Sequence, residues 1–120
     1  MSPLASVPVL VIALLHVYIL TLEMFLWTHP RGRKAFNTTP DFAVKTKTLA
    51  ANQGLYNGFL AVGLFWGLLH PTQDFGRQIQ LFFLACVAIA GVYGGITANT
   101  KIFFTQTVPA AVGIAVVVWL

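Results

Sequence analysis

His16 and Glu23 stand seven positions apart in a stretch dominated by Leu, Val and Ile. At about 100° per residue, that spacing puts them within about 20° of each other on one helical face, with Ile19, Leu20 and Trp27 completing the stripe. A carboxyl group inside an apolar span marks a functional site by default, and Glu23 is the candidate acid–base group. Asn52, Gln53, Tyr56 and Asn57 crowd into two helical turns, across an arc of about 140°. Amides and phenols are neutral donors and acceptors, suited to orienting a ligand. Tyr93 and Thr97, then Gln106 with Thr105 beside it, add groups of the same kind. Together with His16 these residues are the candidate ligand contacts of one shared pocket. They would also serve as hydrogen bonds between helices. No nucleophile–base pair and no glycine-rich phosphate loop accompanies them, and no metal-ligand spacing is present. His29 and His70 fall at opposite ends of the helices, away from Glu23. Any catalysis would therefore rest on Glu23 or a tyrosine, and the residues leave open whether a reaction occurs.

The elements that must carry these residues follow from composition. Of 120 residues, 58% are hydrophobic and 8% charged, against about 25% charged in an ordinary soluble domain. A membrane span needs roughly 20 mainly apolar residues. Helices are expected over 4–27, 48–69, 78–98 and 102–120, which predicts an all-α membrane protein, a four-transmembrane-helix bundle in a single domain over 1–120. Barrel strands would be far shorter and alternate with period two. The first helix does not read as a cleavable signal: no Lys or Arg precedes it and it carries Glu23. Cys86 is the only cysteine, so no intrachain disulfide is expected.

Local chemistry sets the boundaries. Trp27 suits the membrane interface. His29-Pro30 should stop the first helix, since the residue before proline is pushed out of the α region. Thr39-Pro40-Asp41 supplies an N-cap, a proline at the first position and an acid in the first turn, so the second helix should gain an extension from residue 40. His70-Pro71 should end it, Arg77 should open the third helix, and Asn99-Thr100-Lys101 should turn into the fourth. Small residues let helices approach in lipid. Ala88, Gly91, Gly95 and Ala98 form such a stripe on the third helix, while Gly54, Gly58 and Ala61 form one on the second. Pro109 leaves the carbonyl of Thr105 without its helical donor.

Charge gives an orientation. Arg31, Arg33, Lys34, Lys45 and Lys47, with Lys101, fall on one side, and Arg77 alone on the other. The positive-inside rule then puts both termini outside the cytoplasm. Glu23, Asn52, Gln53, Tyr56, Asn57, Tyr93, Thr97, Asn99, Thr105 and Gln106 lie toward the cytoplasmic half of their helices, and the other half reads as almost purely apolar. A pocket open to the cytosol is expected, rather than a path across the bilayer. The six basic residues are also candidate contacts for anionic lipid headgroups, at about 1 kcal/mol each near a charged surface. The net charge of +4 fits a membrane protein, and nucleic acid is not an expected partner.

Three segments carry a resemblance: Leu22-Glu23-Met24-Phe25-Leu26-Trp27-Thr28, Pro30-Arg31-Gly32-Arg33-Lys34, and Leu49 to Phe59 with Asn52-Gln53-Gly54-Leu55-Tyr56-Asn57-Gly58 at its centre. Over its whole length the chain resembles a bacterial domain-of-unknown-function family of short, four-span inner-membrane proteins. That resemblance implies the architecture and a bacterial inner-membrane location, and supplies no activity. In layout the chain is also similar to the membrane-associated proteins of eicosanoid and glutathione metabolism. Those have four spans, a basic cytosolic segment after helix one and an Asn-rich start to helix two, and form trimers that bind glutathione and lipophilic substrates. The likeness would place glutathione near Asn52, Gln53, Tyr56 and Asn57. The family's Arg-rich run and its acid within helix two are missing here.

These readings converge on a homo-oligomer, trimer or dimer, whose cytosol-facing pocket binds a small lipophilic or amphiphilic molecule, with chemical modification of that molecule left open. A proton-coupled multidrug-type transporter would also use a glutamate in helix one. It would need a site open to both sides near the midplane. An accessory subunit, with packing roles only, is the third reading.

Overall fold

The computed structural model describes residues 3–120, and every element among them is helical. The helices are α1 (Pro3–Met24), α2 (Pro30–Phe36), α3 (Pro40–Lys45), α4 (Lys47–Leu69), α5 (Gln73–Thr97), α6 (Thr100–Ile102) and α7 (Val108–Trp119). A π-helical segment, Phe103–Thr107, joins the last two. Three helices are long and apolar enough to cross a membrane: Pro3–Met24, Gln73–Thr97 and the continuous Thr100–Trp119. At 23 residues α4 has spanning length too, and Lys47, Asn52, Gln53 and Asn57 make its first half less apolar. On α5, Phe82, Ile89 and Ile96 recur at seven-residue spacing and are all exposed. Such an apolar stripe suits lipid, since soluble surfaces rarely expose large contiguous apolar area.

Prolines and caps divide the chain. The first helix ends at Met24, three residues short of Trp27. His29 is extended (φ −83, ψ 159), as a residue before proline prefers. Pro30 does more than stop a helix: it opens α2 from the first helical position. Asn37, in the left-handed region (φ 54, ψ 50), closes α2 and returns its N–H to the Arg33 carbonyl. Thr39 caps α3 by accepting from Phe42 N at 3.2 Å, with Pro40 at the first position and Asp41 in the first turn. The expected extension from residue 40 forms as a helix of its own. At the break Thr46 donates its hydroxyl to the Phe42 carbonyl (2.7 Å) and accepts from Trp27 Nε1 (3.0 Å). Back-bonding of this kind bends a helix.

By packing, the chain divides into two compact units. One is Leu14–Phe59. There the backbones of α1 and α4 touch at Gly54: a Cβ at that position would lie 2.8 Å from the Met24 side chain and 3.0 Å from Glu23 Cβ. Near the loop Trp27 packs on Phe36, ring centres 5.0 Å apart.

The other unit combines the residues up to Ala13 with Leu60–Leu120. Its core holds Val9, Ile12, Ala13, Leu64, Leu84, Val87, Ala110 and Val117. A helical carbonyl accepts from the N–H four residues on, and for Gly67 that residue is Pro71, which has none. Gln80 Nε2 supplies the missing donor, 3.1 Å from the Gly67 carbonyl. The third long helix starts at Gln73 and not at Arg77, and Gln80 is buried within it. Polar side chains are thus not confined to one half of the helices. Further along α5, Thr107 donates to the Ala88 carbonyl at 2.8 Å, over the flat surface left by Gly91. The π turn lies directly before Pro109, and within it the Val108 N–H reaches back five residues to Phe103.

Candidate functional site

Glu23 closes the last turn of α1 and is 2% exposed. Asn57, on the facing turn of α4, donates its Nδ2 to Glu23 Oε1 at 2.5 Å. The pair exists because small residues bring the helices together: Gly54 and Gly58 stand one turn before and one residue after Asn57, with Leu20 over Gly58. His16, two turns earlier on the same face of α1, is also fully buried. The sequence spacing therefore identifies one buried face carrying both groups.

The remaining polar residues of α4 continue around the helix from this pair. Taking Asn57 as origin, Gln53 lies about 40° away, Tyr56 about 100° and Asn52 about 140°, all to the same side. Asn52, Gln53 and Tyr56 are exposed, Tyr56 by 59%, while Asn57 is half-buried. Tyr56 rests edge-on against Phe59. The stripe runs from a buried carboxyl to an exposed phenol on one helix.

In the other unit, Tyr93 and Thr97 are exposed on α5, and Thr97 returns its hydroxyl to the Tyr93 carbonyl at 2.7 Å. Gln106 is half-buried in the π segment. Of the basic residues, Arg31, Lys34, Lys45, Lys47 and Lys101 are exposed. Arg33 is turned inward, with Nε donating to the Thr28 carbonyl at 3.2 Å. Lys45 forms an exposed ion pair with Asp41 at 3.2 Å. Among the described residues, no three His, Cys, Asp or Glu side chains are grouped to hold a metal ion.

Sequence reasoning missed Gln80. Its signal was present in Pro71, whose absent N–H creates a demand that a nearby amide can meet. It missed Thr46 too, because the partner indole lies nineteen residues away.

A family model described as "Protein of unknown function (DUF1304)" matches residues 10–118. The chain belongs to that family. A curated relative, "Uncharacterized protein YpaA" of Lactococcus lactis subsp. lactis (strain IL1403), is 30% identical over 108 residues, covering 88% of this chain and 89% of the relative. No solved structure matches. The DUF1304 match includes all of α4 and α5 and the Glu23–Asn57 pair, so the membrane-like helical architecture described above is placed within a family of unknown function.

Proposed function

We propose that this DUF1304 protein spans a bacterial plasma membrane four times, with α4 as the fourth span and both termini outside. In this reading it holds a polar pocket open to the cytosol. The pocket binds a small lipophilic or amphiphilic molecule, and the working form is a homo-oligomer. The observation that carries the reading is the stripe on α4. A buried, hydrogen-bonded carboxyl at Glu23 adjoins exposed Gln53, Tyr56 and Asn52, and polar groups at membrane depth ordinarily face a cavity or a protein neighbour. Glu23 would anchor a polar head, the amides would orient it, and His16 would back the carboxyl face. Arg31, Arg33, Lys34, Lys45, Lys47 and Lys101 would meet anionic headgroups, and their bias to one side supports the orientation.

Native mass spectrometry of the protein released gently from its own membrane tests this. A dimer or trimer carrying a retained amphiphile is expected, with retention reduced in Glu23→Gln. A ligand-free monomer would sink the proposal. The contact of α1 with α4 at Gly54 favours a second reading, in which Glu23 and Asn57 only clamp two helices of an accessory subunit. Substitution of Asn57 would then alter assembly and leave ligand retention unchanged.

A further inference from the structure

A strict packing seam runs along α4. Leu49, Gln53, Tyr56, Leu60, Gly63 and Gly67 follow one another at alternating intervals of four and three residues, the spacing of a helix face that meets another helix. The two halves of this seam differ. Over the second half α5 covers it: a Cβ on Gly63 would run into the Phe83 ring, and one on Gly67 would lie 2.6 Å from Gln80 Cγ. Leu60 is half-buried and packs against the core. The first half is bare. Leu49 is 67% exposed and Tyr56 59%, and Gln53 between them is exposed as well.

This bare half is unlike a surface made for lipid. The exposed stripe of α5, Phe82, Ile89 and Ile96, is purely apolar, whereas the seam carries an amide at Gln53 and a phenol at Tyr56. Gln53 stands six residues, about 9 Å, along the helix from Lys47. Polar side chains at membrane depth ordinarily face a cavity or a protein neighbour, and they join helices by hydrogen bonds.

The face itself indicates its occupant. It carries no charge, since the one charged residue of α4, Lys47, lies about 160° around the helix from Leu49. Two identical faces can therefore meet without like-charge repulsion. A primary amide donates and accepts at once, and so does a phenol, so each can pair with its own equivalent. A charged partner would find no opposite charge here, and an acyl chain would leave Gln53 unmatched. We infer that the bare half of the α4 seam is the contact with a second copy of this chain, an isologous dimer in which Leu49, Gln53 and Tyr56 meet their equivalents. The inference rests on α4 being a span, and it deepens that reading: the polar stripe takes side chains from both protomers. Asn52, about 60° around from Leu49, lies beside the contact and stays open to a ligand.

The test is cysteine cross-linking of the full-length protein in its own membrane, in a Cys86→Ser background. Leu49→Cys should form a covalent dimer with a short bismaleimide. Leu55→Cys, 43% exposed but about 120° around the helix from Leu49, should stay monomeric. In detergent, Gln53→Leu should raise the dimer dissociation constant about 3- to 20-fold, the worth of one interhelical hydrogen bond. Tyr56→Arg sets like charges across the seam and should abolish the dimer while leaving the helical circular dichroism unchanged. Equal cross-linking at both positions would overturn the inference, as would a trimer in native mass spectrometry or a Tyr56→Arg dimer as tight as the parent. An oligomer that keeps its amphiphile without the Leu49→Cys cross-link would overturn this contact alone and leave the pocket reading standing.

Discussion

Glu23 receives its hydrogen bond from Asn57 at a point where α1 and α4 are too close for a larger neighbour at Gly54. Asn57→Ala removes the donor and leaves the buried oxygen unmatched. Interhelical hydrogen bonds in membranes contribute about 0.6 kcal/mol on average and up to about 1.7, and a loss in that range is expected as a lower midpoint of thermal unfolding in detergent. Asn52→Ala, on the exposed end of the same stripe, should shift stability by less than about 0.5 kcal/mol. Equal effects at the two positions would contradict the placement of Asn57 alone in the helix interface. That Glu23 would want a polar partner on a neighbouring helix was legible before any fold was known, because a polar group in apolar helices demands one. Which of the four α4 polar residues would be chosen was not, since the choice depends on where the glycines let the helices touch.

Among the helices, α5 and the π segment approach each other closely. A Cβ on Gly91 would come within 2.7 Å of the Thr107 backbone nitrogen, while one on Gly94 would meet the Ile102 side chain at 2.9 Å. Backbone cannot step aside as a side chain can. Gly91→Ala is therefore expected to cost about 1 to 3 kcal/mol as overpacking, and Gly94→Ala markedly less, read from unfolding midpoints of the two variants. The reverse order would disprove the close approach at Gly91. Element boundaries divide in the same way between readable and hidden. Thr39-Pro40-Asp41 and Asn99 cap helices as their residue types dictate, with Asn99 accepting from Lys101 N at 2.9 Å. Pro109 marked a disturbed helix, while the π turn before it, packed on α5 at Gly91, was not legible from the proline alone. The break at Thr46 likewise depends on Trp27, a partner remote in sequence.

For the chain as a whole, the charge bias fixes an expected direction of insertion. Single cysteines placed in a Cys86→Ser background at Lys34 and at Thr72 should label with a membrane-impermeant reagent from opposite sides, Thr72 from outside intact cells. Labelling of both from one side would remove α4 as a span. Length and apolarity made the helical membrane class plain from composition, whereas α4 is ambiguous because its first half holds Asn52, Gln53 and Asn57. The joint between α4 and α5 has a consequence for how such a chain can change over generations. Pro71 withholds a hydrogen that Gln80 lends from the next helix, so the two positions share one debt. A lineage that loses the proline frees position 80 to become apolar, while one that keeps it must keep a donor there. Pairwise substitution statistics at 71 and 80 should therefore be correlated, even though nine residues and a turn separate them.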